Sequence, residues 1–181
     1  MKYNIDKQFG LWRHMRQPVM GERFFRLAER IVKTEKYFHS HKNVNVDTIT
    51  VQTPDNYPLK SYLITPNKLT SNAIILYLHG GGFCFKGSES HAEICVKYAN
   101  EVGCKLLYVE YRLAHNTPYP TPENDCILMY KYLIDNAEAL GISTKKIIVA
   151  GDSAGGNLAL GVFYRHICTP PHLRSVESLY R

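Results

Sequence analysis

Three short apolar runs constrain this chain more than any other feature. Residues 73–78 are continuously apolar, and 105–109 and 145–150 nearly so. Runs of this length without polar alternation suit strands buried on both faces, as in parallel sheets covered by helices. The stretches between them carry helical signals. One helix is expected at about 89–102, started near Ser88 or Ser90. A second, amphipathic, is expected at 123–139 after the rigid loop 118–122, and a third at 154–165. Strands alternating with helices predict an α/β architecture, a mainly parallel central sheet with helices on both faces. Ahead of it, Val44, Val46, Thr48 and Val51 alternate, as do residues 59–64, around the turn signal Pro54-Asp55-Asn56. That pattern predicts an antiparallel hairpin.

Charge divides the chain. Of the 181 residues, 1–43 hold ten Lys/Arg and four Asp/Glu, and the remainder holds twelve of each. The formal net charge of +6 therefore belongs to a front segment, not to the α/β region, and argues against a nucleic-acid partner. A helix is predicted within that segment at 19–36. Met20, Phe24, Leu27 and Ile31 form its apolar stripe, and Arg23, Arg26, Arg30 and Lys33 a solvated basic face. Residues 1–17 contain no apolar signal core, and the longest apolar run is too short to span a bilayer. The five cysteines, Cys84, Cys95, Cys104, Cys126 and Cys168, are scattered and form no C-x-x-C pair. Buried free thiols in a cytoplasmic protein are the expectation, with no metal or cofactor called for. The predicted division is a helical segment at 1–43, a core at 44–166 and an atypical tail at 167–181.

Chemistry enters with Gly151-Asp152-Ser153-Ala154-Gly155, a G-x-S-x-G motif between a predicted strand and a predicted helix. A sharp strand-to-helix turn pushes the serine hydroxyl out at the sheet's carboxyl edge. Glycines two before and two after it let the backbone pack closely. The new helix points free N–H groups at the same place. By itself the motif is also compatible with a Gly-rich turn that happens to contain a serine. His79-Gly80-Gly81-Gly82 follows the 73–78 strand and exposes further backbone donors, suited to a developing oxyanion. A phosphate-cradling loop is the competing reading, but the G-x-x-x-x-G-K-[ST] pattern is missing.

At these residues the sequence resembles the hormone-sensitive-lipase-like branch of the α/β-hydrolases. The segment Tyr111-Arg112-Leu113-Ala114 lies between the two motifs, as in that branch, with His115 where a proline is usual. Pro118-Tyr119-Pro120 and Asp125 also fit. The resemblance spans roughly residues 44–165. It implies an α/β-hydrolase fold, a serine carboxylesterase or lipase acting on a small acyl ester, and an N-terminal helical cap. Ser153 matches the nucleophile, and Gly81, Gly82 and Ala154 match the oxyanion donors. His79, Gly80, Gly151, Asp152 and Gly155 are supporting motif residues, with His79 holding the glycine loop.

The family's triad runs Ser, then Asp or Glu, then His. Here Glu177 is the sole acid after Ser153, and it follows both His166 and His172. That order assigns no triad acid or base. The resemblance then implies absent C-terminal strands, as from a frameshift, a premature stop or a cut near 164–168, and impaired activity. A ligand-binding relative without catalysis and a non-functional fragment are the alternatives.

Overall fold

The structure is a computed structural model that describes residues 21–38 and 41–168. Residues 1–20, 39–40 and 169–181 lie outside the described residues, and with them Met20 of the predicted stripe, the start of the predicted helix at 19–36, and His172 and Glu177 of the predicted tail at 167–181. Helices α1 (Glu22–Ile31) and α2 (Thr34–Phe38) precede the sheet. Strands β1 (Val44–Gln52) and β2 (Pro58–Pro66) form the predicted hairpin, turned at Asn56 with φ +60°. Then follow β3 (Ile74–Leu78), α3 (Glu89–Val102), β4 (Lys105–Val109), α4 (Thr121–Asp135), β5 (Ile147–Gly151) and α5 (Ala154–Val162). A short π-helical stretch, Phe163–Cys168, carries the backbone of His166.

The sheet order is β1-β2-β4-β3-β5. β3 runs parallel to both neighbours, while β2 is antiparallel to β1 and β4, so the described sheet is mixed. In register, Leu78 stands beside both Val109 and Gly151. Three parallel strands therefore end along one line, and the loops leaving them share that edge. All five residues of β3 are buried, as the apolar run predicts. One face is covered by α4 and α5, where Cys126, Met129, Leu133, Leu158 and Val162 meet Leu76, Leu78 and Leu107. On the other face Ala92, Cys95 and Ala99 of α3, with Phe38 of α2, cover Ile75, Tyr77, Leu106 and Tyr108. β5 lies at the edge of the described sheet, and Ile148 is half exposed there.

The front segment differs from expectation. The single helix at 19–36 is broken at Val32-Lys33, with Val32 extended. Two β-branched residues in series, Ile31 and Val32, disfavour continuation. The Thr34 hydroxyl then donates to Glu110 at 3.0 Å and draws α2 onto the sheet. The predicted stripe is not the inward face: Phe24, Leu27 and Ile31 are 48%, 58% and 69% exposed. The neighbouring face is docked instead. Phe25 meets Phe85 edge-on at 5.1 Å and stacks on His115 at 5.9 Å. Glu29 accepts from Asn116 at 2.7 Å and lies 3.1 Å from His115 Nε2. His115, in the usual proline's place, thus fastens α1 over the loop that follows β3.

Candidate active site

The turn from β5 into α5 is as tight as the motif requires. Ser153 has φ +50° and ψ −118°, a conformation that costs a non-glycine residue on the order of 1–3 kcal/mol and persists only when its surroundings impose it. Glycines 151 and 155 impose it. A Cβ on Gly151 would lie 2.5 Å from the Gly155 carbonyl, and one on Gly155 only 1.9 Å from the Leu78 carbonyl. β3, β5 and α5 thus meet backbone to backbone beneath the serine. Ser153 itself is exposed.

The 79–82 loop lies across from it. His79 is fully buried between two tyrosines, stacked on Tyr111 at 4.3 Å and on Tyr108 at 5.4 Å. Its Nδ1 lies 2.7 Å from the Gly80 carbonyl oxygen, which can only accept, so that nitrogen carries the proton. Tyr111 donates its hydroxyl to the His79 carbonyl at 2.7 Å. Gly81, Gly82 and Phe83 follow with φ of +120°, +59° and +61°, and Ala114 N–H ties Phe83 O to the segment after β4. Among the described residues, the N–H groups of Gly81, Gly82 and Ala154 have no protein acceptor. The Gly80 N–H does have one, Asp152 Oδ1 at 2.9 Å.

Every site residue singled out from the sequence is therefore brought to one edge. Two partners were not legible there. Tyr77 donates to Asp152 Oδ1 at 3.0 Å, and His91 Nε2 lies 3.3 Å from Asp152 Oδ2. The only local signal for His91 is its capping-box spacing from Ser88 at the start of α3. A cleft of about 830 Å³ lies beside this edge, between α1–α2 and the end of β4. It is lined by Glu29, Thr34, Tyr57, Lys86 and Glu110 among others, but not by Ser153.

Burial pushes the His79 imidazole down to about 4 from an ordinary 6.5. A histidine held neutral by the fold contributes no penalty above pH 6.5, because both folded and unfolded forms are then neutral. Below that the unfolded chain takes up the proton and the folded chain does not. Stability is therefore lost as the pH falls from 6.5 to about 4, by on the order of 3 kcal/mol. Urea midpoints between pH 7 and 4 check this, and a flat midpoint over that range contradicts it. For Asp152, burial raises the carboxyl, but the bonds from Gly80 and Tyr77 and the facing His91 outweigh it and hold it below the usual range.

An ethyl acetate hydrolase of Pseudomonas putida is 35% identical over 117 residues, 63% of this chain and 37% of its own length. The hormone-sensitive lipase of Mus musculus is 36% identical over 95 residues, 52% of this chain and 12% of its own. The solved structure of a bacterial heroin esterase, 31% identical, superposes with a TM-score of 0.69 over 83% of this chain and 50% of that one. The chain thus spans well under half the length of these curated relatives and half of that structure. No helix among the described residues is long and apolar enough to cross a membrane. The pattern of the alpha/beta hydrolase fold matches residues 75–171, more than half of the chain, and with these esterase and lipase relatives it makes the chain a member of that family, in its hormone-sensitive-lipase-like branch.

Proposed function

We propose that this chain acts on small carboxylic esters through an acyl-enzyme, with Ser153 as nucleophile. The observation that carries the reading is the strained, exposed Ser153 at the start of α5, opposite backbone N–H groups without acceptors. Ser153 Oγ attacks the ester carbonyl, and the carbonyl oxygen becomes an oxyanion. The N–H groups of Gly81, Gly82 and Ala154 donate to it, preorganised at no cost in rearrangement. The alcohol leaves carrying the proton that the Ser153 hydroxyl gave up, and water then adds to the acyl carbon, its hydroxyl going to the acid and its other proton restoring the Ser153 hydroxyl. His79 stays neutral and buried and holds the loop rather than moving protons. α1, fastened over Phe85 by Phe25 and Glu29, serves as the cap segment.

Among the described residues no histidine is hydrogen-bonded to Ser153. Chemical labelling is the appropriate test. A fluorophosphonate should form an adduct mapped to Ser153 by mass spectrometry, and Ser153→Ala should abolish it, with any slow hydrolysis of p-nitrophenyl acetate. A folded protein that takes no label, or takes it elsewhere, overturns the assignment and favours a binding role for the same backbone donors.

A further inference from the structure

We propose that Asp152, held by His91, is a positioning residue that sets the oxyanion loop against the nucleophile turn. The proposal rests on the reading of Ser153 as nucleophile, but the bonds behind it can be measured without any reaction.

Asp152 immediately precedes Ser153, and its carboxylate is turned toward the other half of the site. Oδ1 accepts from the Gly80 N–H at 2.9 Å and from the Tyr77 hydroxyl at 3.0 Å. Oδ2 faces His91 Nε2 at 3.3 Å. One side chain thus joins the turn after β5, the end of β3, the loop after β3 and the first turn of α3. The fit is specific, because a Cβ on Gly80 would lie 2.2 Å from Asp152 Oδ2. Gly80 is glycine so that this carboxylate can approach. Its N–H is consumed there, which leaves Gly81 and Gly82 to face a substrate. The three glycines therefore have two different tasks.

The proton on His91 can be assigned. The Ser88 backbone N–H can only donate, and it donates to His91 Nδ1 at 3.0 Å. Nδ1 is therefore the acceptor, and the neutral ring carries its hydrogen on Nε2, aimed at Asp152. Bonds then run in one sense, from Ser88 to His91 to Asp152. A carboxylate with three converging donors is fixed in rotation, and so is the peptide of Gly80 that it grips. The titratable groups facing this carboxylate are Tyr77 on β3, His79 beyond it, His91 and Cys95 on α3, and Tyr111 after β4. His91 alone combines hydrogen-bond contact with partial solvent access on the Oδ2 side.

The test is nitrogen-15 NMR on the full chain near neutral pH. The His91 ring should show the Nε2–H form with Nδ1 as acceptor. The Gly80 amide should exchange at least tenfold faster in Asp152→Ala and about threefold faster in His91→Leu, and His91→Gln should restore it. Amides deeper in α3, at Val96 and Ala99, should not change, which separates positioning from a general loosening of that helix. Fluorophosphonate labelling of Ser153 should slow at least tenfold in Asp152→Ala. An Nδ1–H form of His91 overturns the proposal, as does a Gly80 amide indifferent to both residues. Should Asp152→Ala not fold, the wild-type tautomer and His91→Leu decide alone. An unlabelled wild type would sink the nucleophile reading and leave the amide result standing.

Discussion

Gly155→Ala will leave little folded protein, with a loss of about 4 kcal/mol or more, beyond the usual range for a single substitution. The added methyl would stand 1.9 Å from the Leu78 carbonyl oxygen and 2.6 Å from that of His79. Both obstacles are backbone, and Leu78 is locked in β3 between two parallel neighbours. Neither can swing aside as a flexible side chain would. Relief would require α5 to lift from β3, and that would open the core around Leu158 and Val162, which are 4% and 0% exposed. The adjacent Gly156 is the control. A Cβ there meets only the Gly151 carbonyl at 3.4 Å, an ordinary contact. Gly156→Ala should therefore stay within about 1 kcal/mol of the parent, or gain slightly, since alanine restricts the unfolded chain and favours helix. Soluble yield and urea midpoint separate the two. A Gly155→Ala protein that unfolds at the parent's midpoint would mean that the three backbones do not meet as described.

This pair also shows what the sequence could and could not disclose. The nucleophile turn was legible because its cause is local: strand, glycine, serine, glycine and helix follow one another within a few residues. So were β3 and β4, whose apolar runs are buried, and the β1–β2 hairpin with its turn at Asn56, whereas β5, expected buried as well, lies at the edge of the described sheet with none of its residues fully buried. The tasks of the glycines were not legible, because Gly80 meets a carboxylate 72 residues away and the H-G-G-G string gives each glycine equal standing. The docked face of α1 was missed for a related reason. Phe24 and Phe25 are consecutive, so periodicity supports either side. Phe85 meets both rings, and His115, remote in sequence, decides for Phe25. His115 looked like a minor departure from the family pattern, and its place against Glu29 gives it a task. Where β4 lies, between β2 and β3, is likewise a matter of long-range pairing that no single run encodes.

Arg112→Ala will be the second severe loss, at about 3–5 kcal/mol, the cost of leaving a buried charge without its partner. Arg112 grips Asp125 with two parallel bonds, Nε to Oδ2 at 2.9 Å and Nη2 to Oδ1 at 2.7 Å, and its own backbone N–H adds a third at 3.0 Å. Asp125, on α4, is 1% exposed, and the Arg112 side chain 10%. Truncating the arginine leaves one backbone donor for a carboxylate that water cannot reach. The same guanidinium lies 4.8 Å from the centre of the Tyr57 ring and pairs with Asp55 in the turn of the hairpin. One residue therefore joins the loop after β4, α4 and the β1–β2 turn. Its two acidic partners should differ sharply, since Asp55 is 63% exposed. Asp55→Ala should leave the urea midpoint close to the parent's, because exposed pairs contribute little. Arg112→Lys keeps the charge but cannot reproduce the fork, and should lie between the two. The decisive variant removes both buried charges. Arg112→Met with Asp125→Leu should unfold at higher urea than Arg112→Ala alone, because no orphaned carboxylate remains. If the double variant is the weaker protein, the pair stabilises this corner by its own attraction, and the predicted cost of an unpaired Asp125 is wrong.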